Sequence, residues 1–93
     1  MRNELTTIKQ HLGLAETCLQ RANREWAYYK NGQPLPNGTV DSSNSKGHYI
    51  ASQKSYASAK EYAEKVLQEL NGYNEPELER RAKSVIAKCN YNK

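Results

Sequence analysis

The sequence contains no phenylalanine, one tryptophan, one methionine and one aspartate among its 93 residues. Its aliphatic side chains are equally few, with eight leucines, three isoleucines and three valines, and seven tyrosines replace phenylalanine. A domain of this size buries only about two thirds of the surface that its unfolded chain exposes. So small an apolar supply predicts a thin core, which leaves a monomer and a self-associating homo-oligomer as open alternatives.

Motifs that carry catalysis or hold metals are also lacking. The chain has two histidines, His11 and His48, one aspartate, Asp41, and no P-loop, nucleophile elbow, glycine-rich nucleotide fingerprint or HExxH sequence. Its two cysteines, Cys18 and Cys89, have none of the CxxC spacing of a zinc site, so we interpret them as small buried apolar residues. The sequence therefore predicts a protein that is not an enzyme and that needs no metal and no cofactor.

No segment is typical of a secretory signal or of a membrane span. The N-terminus reads MRNELTTIKQ and contains no apolar run. No stretch approaches the roughly 20 apolar residues that cross a bilayer. These features predict a cytoplasmic protein with reduced thiols, and a Cys18–Cys89 disulfide stays open as the alternative.

Apolar residues recur at alternating steps of three and four in three segments, which predicts three amphipathic helices. We place helix 1 at about 3–30, helix 2 at about 48–71 and helix 3 at about 75–90. Asn-Gly pairs end the first two helices, and Asn74-Glu75-Pro76 begins the third. The seam residues are Leu5, Ile8, Leu12, Ala15, Leu19, Ala22, Trp26, Tyr29, Tyr49, Ser52, Tyr56, Ala59, Ala63, Val66, Leu70, Tyr73, Leu78, Ala82, Val85 and Cys89. Gly13 interrupts helix 1 and predicts a kink or a close approach of a neighbouring helix.

Residues 31–47 form the loop between helices 1 and 2 and are rich in Gly, Pro, Asn and Ser. Asn37-Gly38 favours a tight turn or a minimal hairpin. The composition of residues 41–47 favours disorder. Because the loop is long, it permits both an antiparallel and a parallel arrangement of the helices it joins. The fold class predicted is all-α, a single small three-helix bundle in which an antiparallel helical hairpin carries a shorter C-terminal helix.

The candidate binding surface lies on helix 1 near its C-terminal end. Arg21, Arg24 and Tyr28 are spaced i, i+3 and i+7 on one face that points away from the seam, with Trp26 and Lys30 nearby. Arginine, tryptophan and tyrosine are enriched at protein–protein hot spots, and arginine beside an aromatic ring also contacts phosphates and bases. An ordinary solvated helix face remains the plain alternative.

The net charge of +4 is compatible with an anionic partner without requiring one. We therefore expect a small protein-interaction module, that is, an inhibitor, adaptor or accessory factor whose partner is another protein. The excess of Asn, Lys and Tyr indicates an AT-rich coding sequence, which fits a factor encoded by a phage or mobile element and acting on a host or defence protein. The alternative is a nucleic-acid or nucleotide binder that uses Arg21, Arg24 and Tyr28 with Lys54 or Lys60.

Overall fold

A computed structural model describes residues 3–91 and contains three helices and a minimal hairpin. The elements are α1 (Asn3–Asn31), β1 (Gln33–Pro34), β2 (Val40–Asp41), α2 (Ser45–Glu69) and α3 (Pro76–Tyr91). The prediction of an all-α three-helix bundle is confirmed.

Helices α1 and α2 run antiparallel, as contacts at both of their ends show. His11 near the start of α1 lies 2.8 Å from a carboxylate oxygen of Glu69 at the end of α2. At the other end, Nδ1 of His48 lies 2.6 Å from Oε1 of Glu25. This contact pattern decides the topology that the length of the intervening loop had left open.

Helix α3 packs into the groove between the first two helices and runs antiparallel to α2. The guanidinium of Arg81 forms two hydrogen bonds with the carboxylate of Glu16, at 2.7 and 3.0 Å, which joins α3 to α1. At its last turn, Asn90 accepts a hydrogen bond of 3.4 Å from Lys60 of α2. The seam of α3 completes the core.

The buried core consists of seam residues from all three helices, as their three-four spacing predicts. Alanine supplies five of these positions, which lets the helix axes approach closely. The core residues are Ile8, Leu12, Ala15, Leu19, Ala22, Tyr56, Ala59, Ala63, Val66, Leu70, Leu78, Ala82, Val85 and Cys89.

The segment between α1 and α2 is more regular than its composition suggested. Strands β1 and β2 pair antiparallel, which confirms the hairpin expected around Asn37-Gly38. The prediction of disorder for residues 41–47 is wrong in this structure, because Asp41 accepts hydrogen bonds from the backbone N–H and hydroxyl of Ser43. Helix α2 also begins at Ser45 rather than at about residue 48.

Gly13 does not mark a close approach of helices. A Cβ atom added at this position would meet no neighbouring atom within 4 Å. At Gly32, by contrast, the backbone requires glycine, because this residue adopts a φ of 87° where α1 leads into the hairpin. The side chains of Val40 and Ser42 occupy the space that a Cβ of residue 32 would need.

Candidate functional site

The five predicted binding residues do not form one surface. Trp26 follows Arg24 by two positions, and at about 3.6 residues per turn this places their side chains on nearly opposite sides of α1. Trp26 and Lys30 are four positions apart and share the side that faces the groove. Arg21 and Arg24 are exposed on the outer side, as predicted. The structure thus separates Trp26 and Lys30 from the two arginines.

Trp26 belongs to a cluster of three aromatic rings at the C-terminal end of α1. Its ring centroid lies 5.3 Å from that of Tyr29 and 6.2 Å from that of Tyr49, which belongs to the first turns of α2. The Tyr29 and Tyr49 centroids are 5.0 Å apart at an interplanar angle of 56°. Tilted aromatic pairs at such distances attract one another beyond the area they bury. We call Trp26, Tyr29 and Tyr49 the aromatic cluster.

The aromatic cluster is only partly covered by the rest of the protein. Tyr29 and Tyr49 expose 36% and 38% of their surface, whereas Tyr56, one heptad after Tyr49 on α2, exposes 3%. Periodicity had assigned Tyr29, Tyr49 and Tyr73 to the seam, and the structure corrects that assignment, because Tyr73 is also exposed, at 44%.

The cluster is open because α3 is too short to reach it. At about 1.5 Å per residue, the 29 residues of α1 extend about 43 Å and the 16 residues of α3 about 24 Å. The last turn of α3 lies beside Lys60, and Cys89 and Asn90 share a cleft with Gln53 and Tyr56. Helix α3 therefore ends before Tyr49, and within the described part of the chain the groove between α1 and α2 continues beyond it without a third helix.

Other exposed apolar side chains concentrate at this same part of the molecule. Eight large apolar residues are exposed among the described residues, and five of them lie between positions 29 and 50. These five are Tyr29, Leu35, Val40, Tyr49 and Ile50. Apolar exposure concentrated in this way is typical of an interaction surface, whereas single exposed apolar residues are ordinary.

The end of the molecule that carries the aromatic cluster has more basic than acidic side chains, although Arg21 and Arg24 lie on the other side of α1. Residues 20–54 carry five basic side chains and two acidic ones, a difference of +3 out of a total of +4 for the chain. The basic residues are Arg21, Arg24, Lys30, Lys46 and Lys54. The ammonium of Lys30 lies 5.8 Å from the centroid of the Trp26 ring, which is within the range of a cation–π contact.

Both acidic groups of this region are already engaged within the protein. Glu25 contacts the imidazole of His48 across the α1–α2 interface. Hydrogen bonds from Ser43 lower the pKa of Asp41, chiefly through the Ser43 hydroxyl and then through its backbone N–H. The five basic groups form no ion pair with any residue in the described range, so their charges face solvent.

Tyr28 is not the free aromatic side chain that the i, i+3, i+7 pattern predicted. Its ring packs edge-on against His48, with centroids 5.2 Å apart at 71°. His48 is held in turn by Glu25, so this ring is partly buried and supports the α1–α2 interface. The Tyr28 ring beside the arginine face is therefore only partly available for stacking on a base.

The other chemically interesting groups lie apart from the aromatic cluster. Cys89 lines a cleft of about 330 Å³ with Lys60 and Glu64, and burial raises the pKa of its thiol. Cys18 and Cys89 are both free thiols rather than a disulfide. Among the side chains that the structure describes, no three of His, Cys, Asp or Glu lie close enough to hold a metal ion.

One signal in the sequence points to the open groove. The predicted spans of 3–30 and 75–90 already make helix 3 shorter than helix 1, so part of the seam must lack a third helix. Tyr29 and Tyr49 were missed as surface residues because the seam was treated as covered along its full length.

None of the helices in the described range combines the length and apolar character needed to span a bilayer. The chain matches no known family model, and no curated protein and no solved structure shows significant similarity to it.

Proposed function

We propose that this protein is a non-enzymatic protein-interaction module that docks a partner on the aromatic cluster. An inhibitor, an adaptor or an accessory factor would each use such a surface. The single observation that carries the proposal is the Trp26–Tyr29–Tyr49 cluster, which stays partly exposed beyond the end of α3.

The composition of the cluster supports binding. Tryptophan and tyrosine dominate hot spots because each ring buries a large area while immobilising few torsions. The three rings already contact one another in the free protein, so a partner would not have to order them. Preorganisation of this kind lowers the entropic cost of association.

The charges around the cluster indicate the chemistry of the partner. This end of the molecule carries five basic groups that form no ion pair within the described range, and its two acidic groups are engaged, so it attracts an acidic segment. A second copy of the chain would bring a like charge to the same place. We therefore propose an acidic segment of another protein, with an apolar side chain that packs against Tyr29 and Tyr49.

The state of the Cys89 thiol argues against nucleophilic catalysis by this residue. Cys89 lines a cleft, but burial raises the pKa of its thiol, so less of the nucleophilic thiolate is present near neutral pH. This supports a non-enzymatic role for the cleft.

The test is affinity capture of a partner from the source cells, followed by calorimetry with the purified partner and variants of this chain. Tyr49→Ala should weaken binding by at least about 30-fold, the effect of a hot-spot residue. Tyr73→Ala is the matched control, because Tyr73 is exposed to a similar extent but lies beyond the opposite end of α2. Circular dichroism should show that the Tyr49→Ala and Tyr73→Ala variants are both folded. In a separate variant, Lys30→Glu should weaken the binding of an acidic partner.

Three results would overturn this proposal. Equal affinities for the Tyr49→Ala and Tyr73→Ala variants would exclude the aromatic cluster as the docking surface. Salt-sensitive binding of DNA or RNA that is lost in Arg21→Ala or Arg24→Ala would favour the nucleic-acid alternative. A dimer in light scattering that Tyr49→Ala dissociates would identify a second copy as the occupant.

A further inference from the structure

Three Asn-Gly dipeptides occur in this chain, and all three lie at turns. They are Asn31-Gly32, Asn37-Gly38 and Asn71-Gly72. A glycine after asparagine leaves the backbone nitrogen open to the asparagine side chain, because no Cβ of the following residue blocks the approach. The three sites share this local sequence, so differences between them must come from the structure.

In the turn between α2 and α3, the two groups of the Asn71-Gly72 pair that would react with each other make no hydrogen bond within the described range. Asn71 donates its N–H to Gln68 O at 3.2 Å, and Tyr73 donates to Leu70 O at 2.8 Å. The N–H of Gly72, between them, donates to no acceptor in the described range, and neither does the exposed side chain of Asn71 have a partner there. Gly72 has a φ of 92° and no atom within 4 Å of an added Cβ.

We propose that Asn71 is the site at which this protein modifies itself by deamidation. The Gly72 nitrogen loses its proton and bonds to Cγ of Asn71, and the side-chain amide nitrogen leaves as ammonia. Water then opens the resulting succinimide ring at either of its two carbonyls. One opening gives aspartate and the other gives isoaspartate, so the net change is one water consumed and one ammonia released, with no oxidant or cofactor.

The same reaction is held back at the other two sites. Gly32 is buried, and its nitrogen donates to Tyr28 O at 2.7 Å, so this hydrogen bond must break first. Gly38 donates to Leu35 O at 3.0 Å. The Asn37 side-chain oxygen also accepts hydrogen bonds from the backbone and hydroxyl of Thr39, at 3.0 and 2.7 Å, which hold the amide away from attack.

Either product of deamidation would change the turn that joins α2 to α3. A new carboxylate would lie at the C-terminal end of α2, where the helix dipole disfavours negative charge. Isoaspartate also adds one methylene to the backbone between Leu70 and Leu78, two buried residues that join α2 to α3. The aromatic cluster lies at the other end of α2, so this modification is independent of the proposed docking function.

The test is incubation of the folded chain at mildly alkaline pH, followed by tryptic peptide mapping. Fragmentation mass spectrometry assigns the conversion of amide to carboxyl to Asn71 in the peptide of residues 66–80 and to Asn31 or Asn37 in the peptide of residues 31–46, and enzymatic methylation detects isoaspartate. Asn71 should convert faster than Asn37 by roughly twofold to tenfold, because one hydrogen bond lowers the population of the reactive conformation at Asn37 by about that factor. Asn31 should be slowest. In guanidinium chloride the three rates should converge.

Thr39→Val provides the matched control, because it removes the hydroxyl that holds Asn37 while leaving Asn71 unchanged. The rate at Asn37 should rise and the rate at Asn71 should stay constant. Faster conversion of Asn31 or Asn37 than of Asn71 in the folded wild-type protein would overturn the proposal. So would the same order of rates in the folded and the denatured chain, because the order would then come from sequence alone.

Discussion

Leu12 and Leu14 offer a sharp test of how α1 packs, because they are the same residue type two positions apart. Leu12 is completely buried in the core, and Leu14 exposes 45% of its surface. Replacing a buried leucine by alanine costs about 2–5 kcal/mol, from lost transfer free energy and the cavity left behind. Replacing an exposed leucine costs within about 0.5 kcal/mol.

The expected loss for Leu12→Ala is large relative to the stability of so small a protein. At about 0.05–0.15 kcal/mol per residue, 93 residues give a free energy of unfolding of about 5–14 kcal/mol. The entropy of unfolding at the midpoint is about 0.2 kcal/mol/K for this length. A loss of about 3 kcal/mol therefore lowers Tm by about 15 °C.

Thermal unfolding measures Tm and urea unfolding measures the free energy of unfolding, and far-ultraviolet circular dichroism follows both. Leu12→Ala should lower Tm and the urea midpoint strongly, and Leu14→Ala should leave both nearly unchanged. Equal shifts in the two variants, or a larger shift for Leu14→Ala, would refute the orientation of α1 described above.

Two further predictions concern Gly13 and the two cysteines. Gly13→Ala should raise the free energy of unfolding by about 1 kcal/mol, because alanine is the better helix former and an added Cβ meets no atom within 4 Å. Urea denaturation measures this free energy, and a destabilised variant would contradict the prediction. Alkylation with iodoacetamide should label the partly exposed Cys18 before the buried Cys89. Because burial raises the pKa of the Cys89 thiol, its thiolate fraction and its labelling rate should increase at a higher pH than those of an ordinary cysteine. Equal labelling rates for Cys18 and Cys89 would contradict the described burial.

The helices could be predicted because their signals are local. The three-four spacing of apolar residues and the Asn-Gly pairs after the first two helices placed most ends within one or two residues of those observed. The start of α2 differs more, because Gly47 counts as a loop residue in a sequence. In the structure, this glycine lies in the first turn, where the side chain of Asn44 occupies the space of a Cβ.

The candidate site could be predicted only in part. Trp26 and Lys30 were identified, yet the rings beside Trp26 are those of Tyr29 and Tyr49, and Lys30 contacts the Trp26 ring rather than the arginine face. Helical spacing identifies residues on one side of a single helix, and a cluster between two helices depends on their relative register. Tyr28 was expected to be free, and its contact with His48 arises from a residue 20 positions later in the chain.

The sequence by itself determined three amphipathic helices, the faces that pack together and the excess of positive charge, because these properties follow from composition and helical period. The tertiary structure decided which parts of those faces are covered. Tyr49 and Tyr56 occupy equivalent seam positions on α2, but only Tyr56 lies beside α3 and is buried. Burial depends on which other segment packs against a side chain, and the spacing of residues along one helix does not contain that information.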